Sequence, residues 1–236
     1  MIRLFVPSDL KIQQLVLLNE NQIHYLFHVM RLKAGENILL FNGRDGEYRA
    51  VLTELSKNKG TARCETQTRV QEEEKPLNVW LCFAPIKKDN MDFVVQKATE
   101  LGVDQLVPVM TRRTVCKVNT ERMRAQVIEA AEQCERLSVP VVKDPVKWET
   151  FLADFPDDRT LYFLNERGAG VLSAKAKEGA AFLVGPEGGF DEKELTALSA
   201  MPQAISMHLG RRILRAETAS LVVLACYNQL LGWKTK

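Results

Sequence analysis

Two short apolar segments late in the chain each lead into a loop of unusual composition and then into a helical pattern. The segments, Ala181–Val184 and Ala204–Leu209, have the length and character of buried strands. Repeated strand–loop–helix units are typical of a mainly parallel sheet covered by helices. In such sheets, ligand sites lie beyond the carboxyl ends of the strands. We therefore expect an α/β fold with a functional site in the two loops.

The first loop, within FLVGPEGGFDEKEL, is rich in glycine. Gly185, Gly188 and Gly189 leave the backbone free to adopt positive φ and to approach a ligand without an intervening Cβ. Asp191 and Glu194 have the spacing of a capping box, which predicts that a helix begins at Asp191 or the next residue. The free N–H groups at that helix end can bind a polar ligand. The loop fits neither G-x-G-x-x-G nor the P-loop pattern, so a pyrophosphate cofactor is not favoured; a purely structural Gly-Pro turn is the alternative.

The second loop, within MHLGRRILRAETA, concentrates positive charge just before a helix that is expected to begin near Ala216. Its three arginines are Arg211, Arg212 and Arg215. Cations at the positive end of a helix dipole are unfavourable unless an anion compensates them. A solvated basic face is the alternative, but Ile213 and Leu214 interrupt the cluster, so part of the loop is expected to turn inward. We therefore expect a negative group nearby.

The chain before these loops also alternates strands and helices. The expected elements are strands at Leu77–Ala84, Gln105–Val109 and Thr160–Leu164, and helices at Lys87–Leu101, Thr120–Leu137 and Ala216–Trp233. Arg112 and Arg113 follow the second of these strands, at a sheet edge where ligand sites cluster. The last helix carries a broad apolar stripe, which predicts burial against a second subunit as well as the sheet. Burial within one core is the alternative.

Residues 1–70 have the pattern of a small β-barrel with one helix. The expected strands are Arg3–Val6, Asn37–Phe41, Glu47–Leu55 and Thr61–Thr68, and the expected helix is Glu20–Met30. His24 and His28 have metal-ligand spacing, but no third ligand is evident, so no metal site is predicted. His28, with Arg31 and Lys33, is instead expected to meet phosphate or to pack at a domain boundary.

The segment Gln71–Pro76 separates this region from the rest of the chain. Its consecutive glutamates end in proline, and both features disfavour a regular element. We therefore predict a linker over 71–76, with one domain at 1–70 and another at 77–236.

Composition narrows the class of protein. With 46% hydrophobic and 26% charged residues, the 236-residue chain is typical of globular proteins; it has neither a membrane-spanning run nor a signal-peptide pattern, so a cytoplasmic location is expected. Five widely spaced cysteines without a C-x-x-C pair argue against a disulfide framework and a zinc ribbon. A net charge of +2 means that any contact with nucleic acid must be a local basic patch.

The pair VGPEGGF and LGRRILRAETA resembles the signature of the SPOUT RNA methyltransferases, specifically the RsmE family, which methylates a uridine of small-subunit ribosomal RNA. KKDNMDFVVQKATELGV, EAAEQCERLSVP and HYLFHVMRLKAGE extend the likeness across nearly the whole chain. The resemblance implies a C-terminal α/β trefoil-knot domain with a mainly parallel sheet and an N-terminal PUA-like RNA-binding barrel. It also implies a homodimer that acts on 16S ribosomal RNA, either naked or within a 30S particle.

The resemblance further implies that the two loops bind S-adenosyl-L-methionine in a bent form. The cofactor contacts it assigns are Leu183, Gly185, Pro186, Glu187, Gly188, Gly189, Leu209, Gly210, Ile213, Leu214 and Thr218. The RNA contacts that we predict are His28, Arg31, Arg112, Arg113, Arg211 and Arg212. Glu166 is a further candidate for the cleft, although its neighbour Asn165 departs from the His-Glu-Arg triplet that is common in the family.

The implied reaction transfers the sulfonium methyl group to nitrogen 3 of a uridine. That nitrogen is a poor nucleophile while it is protonated, so the enzyme must favour its anion and align it with the methyl group. We assign Arg215 to stabilise negative charge on the uracil. Glu217 is either the base or the group that orients Arg215, and orientation is favoured because a helix N-terminus and nearby cations lower a carboxylate's basicity. Ribose 2′-O-methylation and RNA binding by a non-catalytic assembly factor stay open as alternatives.

Overall fold

The structure, a computed structural model, describes residues 1–166, 168, 170 and 179–231. The chain forms two compact units. The first unit comprises Met1–Lys75 and Ala131–Val139, and the second comprises Pro76–Ala130 and Pro140–Lys236. The sequence does not predict the return of 131–139 to the first unit, because no composition change marks that segment.

Five strands form one mixed sheet in the first unit. They are β1 Arg3–Phe5, β2 Leu15–Leu17, β3 Asn37–Phe41, β4 Glu47–Leu55 and β5 Gly60–Arg69. The strand order is β1-β3-β4-β5-β2, with β1 parallel to β3 and the other pairs antiparallel. Buried side chains from all five strands meet in a single core, which fits the small barrel that the sequence predicts. The pattern does not predict β2, because Leu15 and Leu17 are exposed and Val16 alone faces the core.

The helix of the first unit begins at the predicted residue and changes type after one turn. α1, Glu20–His24, is capped by Asn19, whose side chain forms a reciprocal capping box with Gln22. The chain continues as a π-helical turn at Tyr25–Val29. Arg31 then adopts a φ of 57°, in the left-handed region, which ends the helix.

A buried arginine holds the returning segment within the first unit. The guanidinium of Arg3 bonds to the carboxylate of Glu47 at 2.6 Å. It also donates to the carbonyl oxygens of Ala131 and Arg136, each at 2.7 Å. Because a buried charge is tolerated only when it is paired and hydrogen-bonded, these contacts fix the segment and the charge together.

The second unit is an α/β domain with a seven-stranded sheet. Its strands are β6 Trp80–Phe83, β7 Gln105–Met110, β8 Val141–Val142, β9 Val146–Lys147, β10 Leu161–Leu164, β11 Ala181–Val184 and β12 Ala204–Met207. Its helices are α2 Lys88–Glu100, α3 Thr120–Gln133, α4 Trp148–Ala153, α5 Glu192–Ala200 and α6 Ala216–Leu231, and α3 ends in the segment grouped with the first unit. The strand order is β12-β10-β11-β6-β7-β8, with β9 also on β7, and the described pairs are parallel. The predicted parallel sheet is confirmed.

The differences from the predicted elements concern short or terminal pieces. The pattern does not predict β8, β9 or α4, because elements this short show no clear period. α3 ends at Gln133, earlier than predicted, because Glu135 adopts a φ of 62°. β12 ends at Met207 rather than Leu209. Trp233, the predicted end of the last helix, lies outside the described residues.

Three neighbouring strands bring their carboxyl ends to one edge of the sheet. β10, β11 and β12 end at Leu164, Val184 and Met207, and β10 pairs in register with the other two. Alternate residues of β11 pack on opposite faces: Leu183 joins one core cluster, while Phe182 meets the ring of Tyr227 on α6 at 5.2 Å. The loops that follow these strands therefore start side by side on a rigid support.

None of the helices in the described ranges combines the length and apolarity needed to cross a membrane.

Candidate active site

A cleft of about 950 Å³ opens at this edge of the second unit. Its walls come from three loops, which follow β10, β11 and β12, with a smaller contribution from the start of α2. Its polar and charged lining residues are Lys87, Asn90, Arg113, Asn165, Glu166, Glu187, His208, Arg211, Arg212, Arg215 and Glu217. The two loops singled out by the sequence therefore meet in one cavity.

The glycine loop after β11 is shaped by a tight turn and a helix cap. The N–H of Gly189, which has a φ of 68°, donates to the carbonyl of Pro186 at 2.8 Å. A Cβ built on Gly189 would meet nothing within 4 Å, so its open side is free for a ligand. Gly185 has a different role, because a Cβ there would lie 3.1 Å from the ring of Phe190. One glycine thus opens the cleft and another allows the loop to pack.

The predicted capping box is confirmed at the start of α5. Asp191 is the N-cap, and its side chain accepts from the backbone N–H of Glu194 at 2.8 Å, while the Glu194 carboxylate accepts from the N–H of Asp191 at 2.8 Å. The backbone bond from Glu194, aided by the nearby guanidinium of Arg112, lowers the pKa of Asp191 below its usual range. The capping box therefore fixes the position at which the glycine loop ends and α5 begins.

The arginine loop after β12 is open to solvent. Gly210 has a φ of 117°, and its N–H donates to Nδ1 of His208 at 3.1 Å. The three arginines of this loop line the cleft. Within the described ranges, none of them forms an ion pair. The negative groups that the sequence predicts nearby are present, because Glu166, Glu187 and Glu217 line the same cleft, but no ion pair joins them to these arginines among the described residues.

Glu217 lies in the first turn of α6 and lines the cleft. Its Oε2 atom is buried and has no hydrogen-bond partner among the described residues. No hydrogen bond or ion pair joins it to Arg215 in that part of the chain. The favoured hypothesis, that Glu217 orients Arg215, is therefore not supported by a contact. A buried carboxylate oxygen without a donor is costly, and it can accept a proton or a hydrogen bond from a ligand.

The turn after β7 also contributes to the lining of the cleft, through Arg113. Nη1 of Arg113 donates to the carbonyl oxygen of Gly188 at 2.5 Å. Arg112, which the sequence groups with it, lies outside the cleft lining and forms an ion pair with Asp191 at 3.2 Å. Its side chain is still 69% exposed. The two neighbouring arginines therefore face different surroundings.

Most of the predicted cofactor contacts lie in the cleft, and two do not. The predicted contacts that line it are Gly185, Pro186, Glu187, Gly188, Gly189, Leu209, Gly210, Ile213 and Leu214. Leu183 is fully buried in the core beneath the loop, because its position on β11 turns the side chain into the sheet's packed face. Thr218 is exposed on α6 and is not among the lining residues.

Several lining residues are not predicted as cofactor contacts. They include Asn90, Leu164, Val184, Phe190, Leu195, Met207 and His208. Leu164, Val184 and Met207 are the last residues of three strands. The sequence predicts the first two of these strand ends correctly, so the rule that ligand sites lie at the carboxyl ends of strands could have identified Leu164 and Val184. Asn90 and Lys87 follow β6, whose end lies beside that of β11, and only the strand order reveals this.

His28 and Arg31 belong to the first unit. The His28 ring lies 5.0 Å from that of His24 and packs edge-on against Phe27 at 4.9 Å. In the described part of the chain, no group of three or more His, Cys, Asp or Glu side chains is placed to hold a metal ion. The two histidine rings contact each other where α1 passes into the π-helical turn.

Comparison with known families identifies both units. Residues 73–228 match the family model of an RNA methyltransferase domain, and residues 18–63 match that of an RNA methyltransferase PUA domain. The fold is accordingly a SPOUT-type α/β domain preceded by a small PUA-like β domain.

Relatives and solved structures agree with this match. Ribosomal RNA small subunit methyltransferase E of Rickettsia conorii is 32% identical, covering 98% of this chain and 96% of its own length. The protein of that name from Synechocystis is 35% identical, covering 97% of this chain and 78% of its own length. A crystal structure of the Neisseria gonorrhoeae protein of that name, described as bound to S-adenosyl methionine, superposes with a TM-score of 0.87 at 32% identity over 98% of both chains. The cleft, the two matched domains and these relatives together show that the chain belongs to the ribosomal RNA small subunit methyltransferase E family.

Proposed function

We propose that this protein transfers the methyl group of S-adenosyl-L-methionine to nitrogen 3 of a uridine in small-subunit 16S ribosomal RNA. The observation that carries the proposal is the cleft, where an open glycine loop lies beside an arginine loop that forms no ion pair with any described residue. Family membership supports both the reaction class and the substrate class, since the relatives are named for small-subunit ribosomal RNA.

The cleft suits a cofactor of this size and polarity. Its volume of about 950 Å³ lies within the range of small-molecule sites. Gly189 and Gly210 both have positive φ, and a Cβ on either would point into open space. We propose that the backbone of these two loops binds the cofactor, with Leu209, Ile213 and Leu214 giving apolar contact. When bound, S-adenosylmethionine supplies an electrophilic methyl group on a positively charged sulfur.

The acceptor nitrogen must lose its proton as it takes the methyl group. We propose that the buried Oε2 of Glu217, which has no donor among the described residues, accepts that proton. The guanidinium of Arg215 would stabilise the negative charge that then develops on the uracil oxygens. The N3–H bond would break toward Glu217, and the N3 electron pair would form the N–CH₃ bond as the S–CH₃ bond breaks. The electron pair of that bond stays on sulfur, so a neutral thioether leaves and charge and atoms balance. This assignment replaces the orienting role with that of a base.

The remaining cations are proposed to hold the RNA backbone. Arg211 and Arg212 are exposed at the mouth of the cleft without ion pairs in the described residues, as phosphate-binding arginines are before their ligand arrives. Arg113 and the exposed guanidinium of Arg112 extend the basic surface. His28 and Arg31 would contribute from the PUA-like unit, which we propose as the RNA-binding domain over residues 1–70, with methyl transfer in 77–236.

We also propose that the protein is a homodimer that acts in the cytoplasm. The outward face of α6 carries Leu221, Val222, Ala225, Cys226 and Leu230, all partly or fully exposed. Among the described positions of that face there is no charged side chain, which is unusual for a solvated helix. A second copy would cover the apolar strip. Light scattering should give twice the mass of one chain, and Val222→Glu should give the monomer mass.

The reaction is tested by incubating the purified protein with labelled S-adenosylmethionine and either naked 16S RNA or 30S particles. The RNA is digested, and the modified nucleoside is identified by mass spectrometry. We expect 3-methyluridine. A 2′-O-methylated nucleoside would replace this proposal with ribose methylation. RNA binding without saturable cofactor binding would replace it with a non-catalytic assembly factor.

A further inference from the structure

Glu194 is a buried acid that lies outside the lining of the cleft. Only 3% of its surface is exposed. Both oxygens of its carboxylate accept hydrogen bonds from backbone N–H groups. Oε2 completes the cap of α5 through Asp191, and Oε1 accepts from the N–H of Arg112 at 2.8 Å. The sequence predicts the first bond, and nothing in the local pattern predicts the second.

The N–H of Arg112 belongs to a compact turn after β7. Within this turn the hydroxyl oxygens of Thr111 and Thr114 lie 2.8 Å apart. The Thr111 N–H donates to Oγ1 of Thr114 at 3.1 Å, and the Thr114 N–H donates to the carbonyl of Thr111 at 3.1 Å. Three hydrogen bonds thus close the turn, and a fourth, from the N–H of Arg112, attaches it to Glu194.

Arg113 is the residue that this turn presents to the cleft. Its guanidinium reaches the carbonyl oxygen of Gly188. The glycine loop is therefore held at two points, at its middle by Arg113 and at its end by the Asp191 cap. Glu194 links these two points, because its carboxylate accepts from the N–H of Arg112, next to Arg113, and from the N–H of Asp191.

We propose that Glu194 is a positioning residue of the cleft, which ties the turn carrying Arg113 to the glycine loop and so sets how tightly the cleft holds its cofactor. The inference rests on the proposed function only for the identity of that cofactor. Glu194 touches neither reacting group, so its loss should weaken binding and leave the rate at saturating cofactor nearly intact.

The first test needs no ligand. In Glu194→Gln, one donor-bearing NH₂ group replaces a carboxylate oxygen, so the side chain cannot accept from both N–H groups. Hydrogen exchange of the free protein should then be faster by about tenfold or more at 112–114 and 188–191, as expected when one charge-assisted bond is lost. Glu192→Gln is the matched control, because Glu192 is exposed two residues earlier on the same helix. Unchanged protection in Glu194→Gln would overturn the proposal whatever the cofactor is.

The second test measures cofactor affinity and turnover. Calorimetry with S-adenosylmethionine should show affinity lower by about tenfold in Glu194→Gln, with kcat within about twofold of the starting protein. Arg113→Ala should cause a similar loss, and the double variant should be no worse than either single variant, because both remove the same restraint. Additive losses, or a fall in kcat at unchanged affinity, would overturn the proposal.

A further variant guards against misfolding of Glu194→Gln. Thr114→Val removes the hydroxyl bonds of the turn and leaves Glu194 and the α5 cap in place. It should reproduce the faster exchange at 112–114 and the weaker affinity. If the starting protein binds no S-adenosylmethionine, the proposed function fails, while the exchange experiment still decides the role of Glu194.

Discussion

Arg113 donates a hydrogen bond to the carbonyl oxygen of Gly188, although the two residues lie 75 positions apart in the chain. The side chain of Arg113 therefore lies over the middle of the glycine loop. A Cβ built on Gly188 would lie 3.4 Å from Cδ of Arg113, an ordinary contact. The space beside Gly188 is thus large enough for one carbon atom.

Substitutions at Gly188 should therefore depend on size. Gly188→Ala is expected to bind S-adenosylmethionine within about threefold of the starting protein, because its methyl group meets Arg113 without overlap. Gly188→Val adds two branches that must displace either Arg113 or the cofactor, so affinity should fall by about tenfold or more. Isothermal titration calorimetry measures both. Equal affinities for the glycine and valine proteins would show that neither cofactor nor Arg113 approaches this position.

Arg215→Ala should affect turnover more than cofactor binding. Arg215 lines the cleft without an ion pair among the described residues, so its charge is available to a developing anion. Loss of one donor to such an anion lowers kcat by about 10²–10³-fold in other enzymes. Single-turnover methylation and calorimetry measure the two effects separately. Unchanged turnover would remove Arg215 from the catalytic residues, and Arg124→Ala is a control at an exposed arginine paired with Asp144.

Glu217→Gln separates a catalytic role from a structural one. The buried Oε2 of Glu217 has no donor in the described part of the chain, so a neutral amide removes an uncompensated carboxylate. The melting temperature should therefore stay the same or rise. If Glu217 accepts the N3 proton, kcat should fall by about 10²–10⁴-fold. A lower melting temperature together with normal turnover would indicate that Glu217 only supports the fold.

Local sequence patterns predicted the features that depend on near neighbours. The cap formed by Asp191 and Glu194 depends on residues three positions apart, and the structure contains it as expected. The limits of β3, β4 and β11 were also predicted correctly, because each strand alternates or is apolar throughout and ends at a turn sequence. These elements place the glycine loop without any knowledge of the tertiary structure.

Contacts between distant segments could not be predicted in this way. The second bond of Glu194 reaches Arg112, 82 positions away, and requires β7 and α5 to be placed first. The different surroundings of Arg112 and Arg113 could not be predicted for the same reason, since only Arg113 lines the cleft. β2 is a further case, because exposed Leu15 and Leu17 reverse the usual relation between apolar character and burial.

Arg159→Ala should destabilise the second unit. The guanidinium of Arg159 is largely buried, donates to the carbonyl oxygens of Asn78 at 2.6 Å and Gly179 at 2.8 Å, and lies 3.9 Å from the centre of the Trp80 ring. Its removal leaves buried carbonyl groups without donors, at a cost of about 3 kcal/mol. Urea denaturation measures this loss. Lys143→Ala, which removes an exposed cation, should leave the urea midpoint unchanged. If Arg159→Ala has the same urea midpoint as the starting protein, water replaces the hydrogen bonds of the guanidinium.

The stability of the first unit should depend on pH through Asp45. The N–H of Leu10 and the side chain of Asn42 donate to its carboxylate at 2.8 and 2.7 Å, and these bonds lower the pKa of Asp45 below 3.8. Because the pKa of Asp45 is lower in the folded protein, the unfolded chain binds the proton more readily. The hydrogen bonds therefore stabilise the folded state at pH values above 3.8, the ordinary pKa, and this stabilisation is lost as the pH falls through the lower pKa of the folded protein. Asp45→Asn should lower the urea midpoint at neutral pH and match the starting protein in strong acid. Glu54→Gln, at an exposed carboxylate of the same unit, should leave the acid dependence unchanged. If the free energy of unfolding of Asp45→Asn depends on pH as steeply as that of the starting protein, the hydrogen bonds to Asp45 do not lower the pKa of its carboxyl group in the folded state.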